Sequence, residues 1–266
     1  MLWLAGFALL AYLALVGVVY HQQEALLYPA PRGAGGSVPG FRDVAYETSD
    51  GLHLAGGYRK AAPGKPTLLF FHGNAATWQS SAQILAPLVA EGFGVFAASY
   101  RGYRANPGSP SEQGLYRDAR AAADWLAANG VNARDLVIVG NSLGSGPAVE
   151  LAREREPRGL VLISPFASMI ELAAANVRWL PVNWLMRDRY DNAAKLPEIA
   201  APVLILHGER DTLIPLSHAQ RLVQLARNGT LVTVPSAGHE LVALAETPAL
   251  MSAWLDDLPE RPRAVQ

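Results

Sequence analysis

Residues Leu136 to Ala152 read LVIVGNSLGSGPAVELA: an apolar β-branched run, glycines clustered around one serine, then a helical pattern. A serine hydroxyl is a weak nucleophile at its ordinary pKa, so a catalytic serine needs an adjacent base and a turn that exposes its oxygen. The Gly-x-Ser-x-Gly spacing from Gly140 to Gly144 provides that turn, because small residues let strand and helix approach closely while Ser142 sits on a strained elbow. The helix that follows aims free N–H groups and the positive end of its dipole at the reacting centre. The pentapeptide alone is a weak signal, and its weight comes from the strand before it and the helix after it.

If the elbow belongs to a parallel sheet of the α/β-hydrolase type, an acid and then a histidine should follow it in chain order, each in a loop after a later strand. The candidate acid is Asp211 in LILHGERDTLIP, just past the strand Val203–His207, with Glu209 as local competitor. The candidate base is His239 in VTVPSAGHE, after the strand Leu231–Pro235. His218 also lies beyond Asp211, but at the start of a predicted helix, where a surface or capping role is expected. His21, His53, His72 and His207 precede the acid and do not fit the order. A tetrahedral oxyanion needs a second backbone donor, expected in the loop after the third strand, which here reads LLFFHGNAATW. Gly73 permits a tight turn, so the N–H of Asn74 pairs with that of Leu143 as the oxyanion hole. Ala75 is the alternative register, and His72 is read as a structural histidine holding the loop.

These residues need a scaffold, and the hydrophobic pattern outlines one. Two alternating segments, Val44–Thr48 and Leu52–Tyr58, flank Asp50-Gly51 and predict a hairpin. Apolar strands then follow at Thr67–Phe71, Gly94–Ser99, Leu136–Gly140, Leu160–Ser164, Val203–His207 and Leu231–Pro235. Helices are predicted at Gln79–Glu91, Glu112–Asn129, Leu143–Arg155, Ser217–Arg227 and Thr247–Leu258. Continuous apolar strands alternating with helices indicate an α/β protein with a mostly parallel, doubly wound sheet preceded by an antiparallel hairpin. The interval from about 166 to 201 is unusually long and carries Trp179, Trp184, Leu185 and Met186, which fits either a short lid or ordinary closing helices.

The run LWLAGFALLAYLALVGVVY, Leu2 to Tyr20, precedes the first charged side chain, Glu24. At about 1.5 Å per residue such a helix approaches the roughly 30 Å of a bilayer core. Without a basic leading segment or a small-x-small cleavage site it reads as an uncleaved single-pass membrane anchor over residues 1–21. Its flanks hold almost no Lys or Arg, which leaves the membrane side of the domain open. A Gly/Pro-rich linker (22–42) and the main domain (43–266) complete the organisation. The 266 residues carry a formal charge of -1, which is too balanced for a nucleic-acid partner and says nothing about oligomeric state. The absence of cysteine excludes disulfides, thiolate metal sites and a cysteine nucleophile together.

The segments FFHGNA, YRGYRANPGSPSEQGLYRDA, GNSLG, HGERD and AGHE together resemble the α/β-hydrolase fold family, over about Asp43 to Leu258. More narrowly, they are similar to its membrane-anchored α/β-hydrolase domain-containing members, several of which act on lipids or on acyl thioesters of proteins. One departure is Glu240 after the histidine, where several relatives carry Asn or Asp. The resemblance implies an α/β-hydrolase fold with Ser142 as nucleophile, His239 as general base, Asp211 as orienting acid and an Asn74/Leu143 oxyanion hole. It implies ester or thioester hydrolysis of an acyl or lipid substrate, without metal or organic cofactor. Two other readings are an aminopeptidase-like serine peptidase, needing carboxylates such as Asp188 and Asp191 for the free amine, and a non-catalytic membrane scaffold. Arg187 and Arg189 beside those carboxylates suggest a solvated charge cluster instead.

Overall fold

A computed structural model of the chain describes residues 2–33 and 35–258. Met1 of the predicted anchor, Ala34 of the predicted linker and the last residues of the predicted domain, 259–266, lie outside the described residues. Eight strands form one sheet: β1 (Arg42–Glu47), β2 (His53–Arg59), β3 (Thr67–Phe71), β4 (Gly94–Ala97), β5 (Leu136–Asn141), β6 (Gly159–Ile163), β7 (Val203–Gly208) and β8 (Gly229–Val234). Their order is β1-β2-β4-β3-β5-β6-β7-β8. β2 pairs antiparallel with both β1 and β4, and every later pairing is parallel. The Asp50-Gly51 signal closes the β1–β2 hairpin, with Gly51 at φ +81° and Glu47 opposite His53.

Side chains alternate across the sheet, so the apolar runs feed two cores. Leu69, Phe71, Ile138, Leu160, Leu162, Val203 and Ile205 face one side, where α5 (Glu112–Ala128) and α6 (Ser145–Arg155) cover them. Leu68, Phe70, Val137, Val139, Val161, Ile163, Leu204 and Leu206 face the other, beneath α3 (Trp78–Ile84), α4 (Ala86–Ala90) and α11 (Glu246–Asp256). Each fully buried Leu, Val, Ile or Phe contributes roughly 1.5–3 kcal/mol, which makes the centre of the sheet the rigid part of the molecule.

Several boundaries depart from the sequence expectation. The helix expected over Gln79–Glu91 is two, α3 and α4, because Pro87 in the first turn of α4 cannot continue the ladder of α3. The helix expected from Leu143 opens as a 3₁₀ turn, Ser142–Gly144, and becomes α6 only at Ser145. The β4 ladder stops at Ala97, short of Ser99. The interval 166–201 holds α7 (Met169–Asn176), α8 (Val182–Leu185) and α9 (Asn192–Lys195). α10 (Leu216–Leu225) follows β7.

At the N-terminus, α1 (Leu2–His21) is long and apolar enough to cross a membrane, and no residue of Trp3–His21 is buried. The segment read as a linker is not loose chain: it contains α2 (Gln23–Leu27) and buries Tyr28 and Val38. Tyr28 donates its hydroxyl proton to Asp188 Oδ2 at 2.7 Å and lies 2.8 Å from the Tyr190 hydroxyl. Gly/Pro composition hides this because single long-range contacts, such as those of Tyr28 and of Leu27 O with Asn74, fasten the segment rather than any periodicity.

Candidate active site

The elbow at Ser142 forms because nothing larger than glycine fits beside it. A Cβ on Gly140 would meet Gly144 O at 2.5 Å, and a Cβ on Gly144 would meet Phe71 O at 2.1 Å. Ser142 itself takes φ +50°, a left-handed conformation that costs a non-glycine residue on the order of 1–3 kcal/mol and clusters at functional sites. The fixed packing of β5 against α6 and β3 holds it there. Leu143, next in the 3₁₀ turn, is buried, and its N–H is one of those left without an acceptor at a helix start.

The structure brings Ser142, His239 and Asp211 together from three strand ends. Ser142 Oγ lies 3.0 Å from His239 Nε2, and His239 Nδ1 lies 2.8 Å from Asp211 Oδ2. The other oxygen of Asp211 accepts the N–H groups of Leu213 at 2.9 Å and Ile214 at 2.8 Å. Burial works to raise the Asp211 carboxyl, but the hydrogen bonds from His239 and Ile214 outweigh it and hold the group below the usual carboxylate range. An ionised carboxylate only accepts, so Nδ1 carries the imidazole proton and Nε2 is left bare toward the serine. The arrangement can therefore deprotonate a hydroxyl and stabilise the imidazolium that results.

The competing residues have other duties. Glu209 is exposed and accepts from Thr233 Oγ1 at 2.8 Å. His218 is not at the surface as expected: half-buried, its Nδ1 accepts the Ala167 N–H at 3.1 Å, tying α10 to the chain after β6. His72 is fully buried against Tyr100 and Tyr103, with Nδ1 2.8 Å from Gly73 O, and burial pushes its pKa down to about 4. Glu240 closes its own turn by accepting the Gly238 N–H at 3.0 Å. The Asp188 and Asp191 cluster is not a free solvated one either. Asp188 Oδ1 accepts the Glu112 N–H at 3.0 Å while Oδ2 takes Tyr28, and Asp191 caps α9 through Ala194 N–H at 3.0 Å.

The HGN loop presses on the elbow, since a Cβ on Gly73 would lie 3.3 Å from Ser142 Cβ. Asn74 follows, and Ala75 turns the chain at φ +57°. Sequence reasoning misses what steadies this loop. Asn74 Nδ2 donates to Leu27 O at 2.9 Å, and the Tyr103 hydroxyl donates to Asn74 Oδ1 at 2.9 Å. It also misses buried His207, whose Nε2 donates to Ile214 O at 2.8 Å and so fixes the loop carrying Asp211. Tyr103 stands in the RGY segment, but its spacing gives no hint of a contact with Asn74.

Residues 66–197 match the family model described as alpha/beta hydrolase fold, and residues 177–257 match one described as TAP-like protein. An uncharacterized protein of Mycobacterium tuberculosis is 38% identical over 244 residues, covering 88% of this chain and 86% of its own. The human alpha/beta hydrolase domain-containing protein 17B is 33% identical over 203 residues, covering 74% of this chain and 68% of its own. Among solved structures, the Pyrococcus furiosus esterase Pf2001 superposes with a TM-score of 0.69 at 20% identity, covering 86% of this chain and 96% of its own. An esterase from Exiguobacterium antarcticum gives 0.65 at 14% identity, covering 81% of this chain and 100% of its own. The sheet order, the glycine-flanked elbow and these matches agree: the chain belongs to the α/β-hydrolase fold family.

Proposed function

We propose that the protein is a serine hydrolase that cleaves carboxylic ester or thioester bonds of apolar acyl substrates through an acyl-enzyme, held at a membrane by α1. The observation that carries this reading is Ser142 Oγ 3.0 Å from His239 Nε2, on a residue strained to φ +50°. His239 takes the Ser142 proton at Nε2 as Oγ attacks the acyl carbonyl, and Asp211 stabilises the imidazolium. The N–H groups of Leu143 and Asn74 receive the oxyanion, where one donor is typically worth about 3 kcal/mol. The imidazolium then gives its proton to the leaving alkoxide or thiolate. Water, deprotonated by the same histidine, releases the acid and restores the serine. The residues present complete this cycle without an organic cofactor or a metal.

Names among the similar proteins, esterases above all, are consistent with ester chemistry. A peptidase reading loses its support, because both oxygens of Asp188 are engaged and Asp191 caps a helix. The test is turnover of p-nitrophenyl esters of rising chain length, of an acyl thioester and of aminoacyl amides. Esters or thioesters of medium to long chains should be preferred, and Ser142→Ala should lose at least about a thousandfold. Faster cleavage of aminoacyl amides, or full activity in Ser142→Ala, would overturn the proposal.

A further inference from the structure

Residues 177–187 read VRWLPVNWLMR, and their two tryptophans face outward: Trp184 is 89% exposed and Trp179 50%. Away from α1, the other tryptophans, Trp78, Trp125 and Trp254, are buried or half-buried. An outward pair of large aromatics beside an unburied apolar helix makes one continuous patch of the kind that marks a contact surface.

The segment is fastened along α1 at successive levels. The Tyr12 hydroxyl donates to Trp179 O at 3.0 Å. Closer to the domain, the Arg187 guanidinium lies over the Tyr20 ring at 4.3 Å. At the domain end, Gln23 donates to Leu185 O at 3.0 Å and accepts the Arg187 N–H at 3.1 Å. With a helical rise of 1.5 Å, Tyr12 lies about 12 Å further along α1 than Tyr20. The segment therefore runs beside the helix, with Arg187 at the domain end and Trp179 some way toward the middle. Whatever surrounds α1 at Tyr12 also surrounds Trp179.

We infer that residues 177–187 form a second membrane-seated element, lying in the near leaflet against α1. Its occupant is the lipid itself, and the inference rests on the membrane anchoring of α1 proposed above. Trp184, next to Leu185 at the domain end, sits at the boundary of headgroups and acyl chains, where tryptophan is favoured, while Trp179 beside Tyr12 lies deeper among the acyl chains. Arg187 meets the headgroups at the level of Tyr20, while exposed Arg178 has a long stem along which its guanidinium can extend toward them. Interfacial helices enter the bilayer by roughly 5–10 Å, and this segment, with about 12 Å between its two contact levels, reaches a little deeper. The same interval continues into Tyr190, whose ring packs so closely that a Cβ on Gly146, at the start of α6, would lie 2.2 Å from it.

The chain has no cysteine, so single cysteines can be labelled without background. Full-length Trp184→Cys, Leu10→Cys and Asp124→Cys, each carrying an environment-sensitive fluorophore, are reconstituted in phosphatidylcholine vesicles. Each variant is checked for fluorophosphonate labelling at Ser142 as evidence of an intact domain. The expected result is blue-shifted emission and several-fold weaker iodide quenching at positions 10 and 184 than at the exposed position 124. In unlabelled wild type, acyl-chain-brominated lipid should quench tryptophan emission, and Trp184→Phe should lose part of that quenching. If position 10 is shielded but 184 is quenched by iodide like 124, this inference fails while the anchor stands. If position 10 is also open to iodide, the anchor fails and takes the inference with it. Loss of fluorophosphonate labelling in wild type would instead strike the proposed chemistry alone.

Discussion

Asp211→Asn isolates the orienting role of the acid. In the structure one carboxylate oxygen is pinned by the N–H groups of Leu213 and Ile214 at 2.9 and 2.8 Å, while the other faces His239 Nδ1 at 2.8 Å. The two loop amides demand an acceptor, so the asparagine carbonyl takes the first position and its NH2 is turned to the histidine. An amide nitrogen only donates, so Nδ1 must give up its proton and the imidazole must carry it on Nε2. That nitrogen lies 3.0 Å from Ser142 Oγ and can then no longer accept the serine proton. A wrong tautomer of this kind costs about 10⁴ in kcat, or about 5.5 kcal/mol. Because the loop amides stay paired, the fold should lose no more than about 1.5 kcal/mol. Asp211→Ala, which leaves both amides bare, should cost about 2–3 kcal/mol. Steady-state ester hydrolysis and thermal unfolding of the two variants read these quantities. Activity of Asp211→Asn within tenfold of wild type would refute the assignment and return Glu209 to consideration.

Further expectations concern the scaffold. Gly144→Ala drives a Cβ to 2.1 Å from Phe71 O, so it should abolish fluorophosphonate labelling and sharply lower the melting temperature, and a wild-type melting curve would contradict the packing argument. Arg101 donates to Asp118 and Asp50 at 2.7 and 2.8 Å. Arg101→Met leaves buried Asp118 uncompensated and should destabilise by about 3–5 kcal/mol in urea unfolding, with Asp118→Asn in the same chain recovering part of the loss. Burial depresses His72 to about 4 and lowers His207 and His218 as well. Unfolded histidines titrate near 6.5, so the unfolded chain binds more protons between pH 6.5 and 4 and stability falls as pH drops through that window, by about 3 kcal/mol for His72. Denaturation at pH 7 and 4.5 should show the fall, and His72→Asn should flatten it; an unchanged slope would place the proton uptake elsewhere.

The parts of the molecule legible in the sequence are those where one local pattern has one physical outcome. Apolar runs such as Thr67–Phe71 become central strands because both of their faces must be covered. The glycines flanking Ser142 announce a close approach of backbones, and the strand order then dictates where an acid and a base can stand. Contacts decided by tertiary packing are not legible. Tyr28 holds a glycine-rich stretch through Asp188 and Tyr190, far away in sequence, and Tyr103 reaches Asn74 from the loop after β4. His218 reads as peripheral from its helix position, whereas the amide it accepts belongs to another loop. The break between α3 and α4 is signalled by Pro87 but masked by continuous apolar spacing.

The central claim is that Ser142 is an activated nucleophile served by His239. A fluorophosphonate probe reacts with such a serine and not with an ordinary hydroxyl, and peptide mass mapping locates the adduct. One adduct is expected, on Ser142, absent in Ser142→Ala and slowed by orders of magnitude in His239→Ala. No adduct on folded wild type, or equal labelling of Ser142→Ala, would contradict it.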